Sequence, residues 1–135
     1  MNNTEFEPFS GATGIQSQSR NAPMTDLIID FVYSKHVGMS GSLSLMRFRD
    51  ALSKSGYDSI STFIAKFVVN VMTGGLNTMQ YQMQFSLFMS RMKSEGYGNV
   101  AYLISKFVDG VNGQSGATAQ AAQMRFVDAM KKLGY

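Results

Sequence analysis

One histidine, no cysteine and nine carboxylates are the groups from which a general base, a metal site or an acid–base pair would have to be built in this 135-residue chain. His36 falls where the first helix is expected to end, and a cation there is favoured by the helix dipole. No cysteine, carboxylate pair or nucleophile motif stands near it in sequence, so it reads as structural rather than as a base. Asp50 and Asp128 each lie four residues before a lysine, Lys54 and Lys132, and three after an arginine, Arg47 and Arg125. On a helix that spacing makes ion pairs along an outward face, each contributing a few tenths of a kcal/mol, and not a catalytic pair. The sequence therefore reads as that of a protein that is not an enzyme and needs no cofactor.

A calcium site between two helices requires oxygen ligands at loop positions 1, 3 and 5 and a bidentate Glu at 12. Asp109 is the only acidic residue near any linker, and Val111 and Gly113 stand where its companions would be needed. No calcium binding is expected. Neither Gly74-Gly75 nor the Gly110–Gly116 stretch matches a phosphate-cradling loop.

The elements that carry these residues repeat. Met24, Leu27, Ile28, Phe31 and Val32 recur as Ile60, Phe63, Ile64, Phe67 and Val68, and again as Val100, Leu103, Ile104, Phe107 and Val108. The spacing i, i+3, i+4, i+7, i+8 predicts an amphipathic helix in each copy. In the middle copy the stripe runs on through Val71 and Met72, and in the third through Val111. Ser59 and Asn99 are expected to cap the second and third of these helices, while Pro23 and Thr25 give a vaguer start to the first.

A second helix follows in each copy and closes identically: Phe48, Leu52, Gly56, Tyr57; Phe88, Met92, Gly96, Tyr97; Phe126, Met130, Gly134, Tyr135. A glycine that takes the left-handed conformation ends a helix, and the residue after it packs back on the side chain four positions before that glycine. One or two residues then remain before the next helix, which forces a sharp corner. Inside the units the linkers are glycine-rich, at 37–42, 73–77 and 112–118. A fixed period near 40 residues marks stacked units. The expected fold is all-α: three tandem helical hairpins, about six helices, spanning 23–57, 58–97 and 98–135 in a compact bundle or short solenoid. Residues 1–22, rich in Ser, Asn, Gln, Gly and Thr, read as a flexible polar N-terminal arm.

Composition narrows the function. Only 16% of residues are charged, and the net charge of +3 is spread thinly, the three units carrying +1, +1 and +2. No basic-then-apolar leader and no apolar run of about 18 residues is present, so a soluble protein is expected, of the cytoplasm or of a large assembly, without signal peptide or membrane span. The absence of cysteine fits a reducing compartment.

Eleven methionines are the one excess. Met79, Met83, Met89 and Met92 crowd the second helix of the middle unit, where Tyr81, Met83, Phe85, Leu87, Phe88 and Met89 cannot all share one stripe. Such a helix is either central in the bundle or partly a contact surface, and Met79, Tyr81, Met83, Phe85 and Met89 are the candidate protein contact. The reading is a non-catalytic interaction or assembly protein, a component of a virion or other large complex, whose partner is another protein or a copy of itself. The alternative is a nucleic-acid-binding accessory protein using Arg47, Arg49, Lys54, Arg125, Lys131 and Lys132, although aspartates within those ridges partly neutralise them. A third reading is a small-molecule carrier with an apolar cavity between units.

Overall fold

Among the described residues six helices form, two to each unit: α1 (Met24–His36), α2 (Ser42–Lys54), α3 (Asp58–Thr73), α4 (Thr78–Ser94), α5 (Gly98–Val111) and α6 (Gly116–Lys132). This computed structural model describes residues 23–36, 42–114 and 116–135. The polar arm over 1–22, most of the first linker (37–41) and the side chain of His36 lie outside the described residues. Among the described residues there is no strand, and no helix is long and apolar enough to cross a membrane.

The first helices of the three units bury the same seven offsets. In α3 these are Ile60, Ser61, Ile64, Ala65, Phe67, Val68 and Val71. In α5 they are Val100, Ala101, Ile104, Ser105, Phe107, Val108 and Val111. α1 matches with Met24, Thr25, Ile28, Ile29, Phe31, Val32 and Lys35. The arc differs from the one the apolar spacing predicts: Leu27, Phe63 and Leu103 are only half-buried, while offsets one and five, held by small residues everywhere but at Ile29, are buried. The reason is that α1, α3 and α5 pack on one another as well as on their own partners. A helix covered from two directions needs a wider buried arc, and small side chains on one edge of it let backbones approach. Two of the three buried hydroxyls on that edge are satisfied within their own helices, Ser61 donating to the Asp58 carbonyl at 2.9 Å and Ser105 to that of Tyr102 at 2.7 Å, whereas the Thr25 hydroxyl is buried without a hydrogen-bond partner.

Each hairpin is closed by one stacked phenylalanine pair. The ring centroids are 4.4 Å apart for Phe31 and Phe48, 4.4 Å for Phe67 and Phe88, and 4.8 Å for Phe107 and Phe126. Burying each such side chain contributes about 1.5–3 kcal/mol. The second helices occupy the outer furrows: α2 lies on α1 and α3, α4 on α3 and α5, and α6 on α5 and α1. The last of these contacts closes the ring. Tyr33 of α1 sets its ring edge-on to Phe107 at 6.1 Å and donates its hydroxyl to the Ala119 carbonyl at 3.4 Å. The units therefore form a closed bundle with threefold pseudosymmetry, not an open solenoid.

The Gly-Tyr closures explain the corners. Gly56, Gly96 and Gly134 have φ of +93°, +89° and +96°. The following amide of Tyr57, Tyr97 or Tyr135 reaches back five residues to the carbonyl of Leu52, Met92 or Met130 at 2.8–2.9 Å, which satisfies a carbonyl that the helix end would leave bare. Helices α3 and α5 start two residues earlier than expected. Tyr57 and Tyr97 are themselves the N-caps, with no side-chain cap bond, and their carbonyls already accept from Ile60 at 3.2 Å and Ala101 at 3.0 Å. Ser59 and Asn99 thus sit inside the first turn, because the left-handed glycine turns the chain so sharply that the next residue begins a helix.

Candidate interaction surface

The middle outer helix is set in place by a capping box. The Asn77 carboxamide oxygen accepts from the Gln80 amide at 2.8 Å, and the Gln80 side chain accepts from the Asn77 amide at 3.0 Å. The inward side of α4 is anchored by buried Phe88 and Met92, with Tyr81, Phe85 and Met89 half-buried against the core. Tyr81 also spans to the third unit, donating its hydroxyl to the Asp109 carboxylate with O–O distances of 2.8 and 3.0 Å. Burial and then the bond to Asp109 push the Tyr81 phenol far above its ordinary range, so it stays a donor. Near the other end, the Arg91 guanidinium lies over the Phe63 ring at 5.7 Å.

These anchors fix which side faces out. Met79, Met83 and Leu87 form a row at i, i+4, i+8 and are 72%, 66% and 45% exposed. Beside it runs a second exposed row of smaller, uncharged side chains, Gln82, Ser86 and Ser90. No charged residue occurs from Thr78 to Ser90. Of the five residues that composition singles out, Met79 and Met83 lie on this face, while Tyr81, Phe85 and Met89 turn toward the core. Leu87, one of the apolar residues that break the single stripe but not one of the five candidates, belongs to the face too, at the spacing of Met79 and Met83.

The corresponding faces of α2 and α6 are charged. Aligned on the stacked phenylalanines, Arg47, Asp50 and Lys54 of α2 correspond to Arg125, Asp128 and Lys132 of α6, and to Leu87, Ser90 and Ser94 of α4. Both expected lysine pairs form, Asp50–Lys54 at 3.0 Å and Asp128–Lys132 at 3.2 Å, at well-exposed positions where such bonds contribute little. Because α2 and α6 both pack on α1, the two basic ridges flank one side of the bundle. Asp26 and Asp30 are exposed on α1 between them. Carboxylates therefore accompany the cations on that side: Asp50 and Asp128 within the ridges, and Asp26 and Asp30 on the helix between them.

No known protein family, curated protein or solved structure matches this chain. Three other features compare poorly with α4. Tyr57 meets Tyr97 and Tyr135 at one pole with centroids 6.0 and 6.3 Å apart, all edge-on. A cage for a cation needs open space between ring faces, and here the rings fill it themselves. An open groove of about 380 Å³ lies between the α3–α4 turn and the end of α5. Three of its polar side chains already have partners: Asn77 is in the capping box, Tyr81 is on Asp109, and the Asn112 amide donates to the Val71 carbonyl at 3.5 Å. Among the described residues no three His, Cys, Asp or Glu side chains gather as a metal ion would require.

Proposed function

We propose that this chain is a non-catalytic protein-interaction or assembly protein that docks through the outer face of α4. The observation that carries the reading is the replacement of a charged triplet by Leu87, Ser90 and Ser94, next to exposed Met79 and Met83; α2 and α6 also expose apolar side chains, Leu43, Met46 and Met124, but each stands four residues before a charged one. Packing inside the bundle does not call for it, since α2 and α6 make the same closure with charged outer faces. Apolar surface left in water forgoes about 25 cal/mol per Å² that a partner would recover, and methionine adapts its shape to such a partner. A low-charge surface of this kind suits a component of a large complex, a virion among them. The nucleic-acid reading draws less support, because the basic ridges are interleaved with Asp50, Asp128, Asp26 and Asp30.

The test is capture by the immobilised full chain, set beside a variant carrying Met79→Glu and Met83→Glu, with every captured protein identified and then titrated in purified form. A partner that binds the wild type, is lost from the variant and persists at high salt is the expected result. Nucleic acid bound instead in a salt-sensitive manner, and released by substituting Arg47 and Arg125, would replace this reading with the alternative.

A further inference from the structure

Of the three outer helices, α4 alone can meet its own copy without bringing like charges together. We infer that its outer face pairs with the same face of a second copy of this chain about a two-fold axis, which rests on the interaction reading above and names its partner. In that arrangement the Met79–Met83–Leu87 row of each copy lies in the furrow floored by Ser86 and Ser90 of the other.

Two observations select the occupant. The first is shape. A two-fold contact requires a surface complementary to itself, and α4 carries a ridge of large side chains and, beside it, a furrow of small ones, both at i, i+4 spacing. Ridges of that spacing from two helices interlock at a crossing angle of about −50°. The second is charge. Pairing α2 with its copy through the corresponding face would bring Arg47 and Lys54 against themselves, and pairing α6 would do the same with Arg125 and Lys132. On α4 the first charge after Thr78 is Arg91, which is drawn over Phe63, and Lys93 lies about 10 Å along the helix from Ser86, where crossed helices diverge. A face without charge also offers nothing to orient a charged partner. A contact one helix wide is smaller than the roughly 800 Å² per partner of a standard interface, so the dimer is weak and forms in concentrated solution or within a larger assembly.

The chain has no cysteine, so single cysteines report the contact cleanly. In the full chain, Ser86→Cys is compared with Gln120→Cys, an exposed position on α6. A disulfide needs Cα atoms about 4.4–6.8 Å apart, which a two-fold contact centred near Ser86 provides. Under mild oxidation Ser86→Cys is expected to give covalent dimer at least about tenfold faster, a difference of roughly 1.4 kcal/mol in the encounter. Sedimentation from micromolar to millimolar concentration should show self-association that salt does not weaken and that Met83→Glu removes, with helix content unchanged. Equal cross-linking rates at the two positions, or association that survives Met83→Glu, would overturn the pairing. If cross-linking is equal but the face-dependent capture described above persists, the second copy is the wrong occupant and the interaction reading stands; if capture fails as well, both fall.

Discussion

The three inner helices agree with one another at seven buried positions, whereas the three outer helices share only two, Phe48, Phe88 and Phe126 with Leu52, Met92 and Met130. An inner helix is pressed from both sides, so almost every position on its covered arc is constrained by a neighbour. An outer helix rests in a furrow along a narrow stripe and leaves most of its circumference to water. That freedom is where the units diverge: α2 and α6 fill it with an ion pair and scattered apolar side chains, Leu43, Met46 and Met124, whereas α4 has an apolar row without charge. The difference locates packing in the inner layer and any specific recognition in the outer one.

The sharpest way to break this contrast is to truncate one side chain in each layer. Phe107 is 1% exposed and stacked on Phe126, so Phe107→Ala is expected to lose about 3–5 kcal/mol in urea unfolding. Met83→Ala on the outer face is expected to stay within about 0.5 kcal/mol of the wild type. Comparable losses from the two would mean that α4 is held by its outer row and that the layers are not distinct.

A finer comparison lies between hairpins. Ser34, Asn70 and Gly110 are equivalent, and they face Ser44, Gln84 and Ala122. The middle unit spans this gap with a hydrogen bond from the Asn70 amide to the Gln84 carbonyl oxygen at 3.1 Å. The third brings the helices together instead: a Cβ on Gly110 would come within 2.5 Å of the Ala122 Cβ. Overpacking of this kind costs about 1–3 kcal/mol, against about 1 kcal/mol gained by replacing a helical glycine, so Gly110→Ala is expected to lose up to about 2 kcal/mol. A stability gain on chemical denaturation would show that α5 and α6 separate freely and that glycine is not what sets their spacing.

How much of this could be read from the chain follows the same division. The stripe through Ile28, Phe31 and Val32 and its two copies was legible because three registers agreed, and Gly56 with Tyr57 announced a helix stop through a local rule. The inner edge formed by Ser61, Ala65, Ala101 and Ser105 was not legible, since nothing in a small residue says that a third helix will cover it. Closure of the ring depends on Tyr33 reaching Ala119, 86 residues away, and the anchoring of α4 on Tyr81 meeting Asp109 across 28. Periodicity within one helix carries no trace of such pairs. The outer face of α4 was half-legible: composition pointed to the helix, but only the fold separates Met79 and Met83 from Tyr81, Phe85 and Met89.

The smallest expected effect comes from the one inner helix whose exposed side departs in charge. Asp26 and Asp30 of α1 stand where α3 has Thr62 and Lys66 and α5 has Tyr102 and Lys106. Burial, and for Asp30 also the neighbouring Asp26 charge, raises both carboxyls above their ordinary value. A raised carboxyl binds more protons folded than unfolded, so this contribution to stability increases as pH falls through the window just above the ordinary carboxylate range and is lost as pH rises through the folded value. Asp30→Asn removes the ionisation. It is therefore expected to be slightly more stable than the wild type at neutral pH, by no more than about 0.5 kcal/mol at so exposed a position, with the advantage shrinking toward acid. Paired thermal melts from pH 7 down to the carboxylate range measure that difference directly. Should the variant instead be the less stable at neutral pH, the Asp30 carboxylate is held by a favourable partner, and α1 differs from α3 and α5 by gaining from its charge rather than by tolerating it.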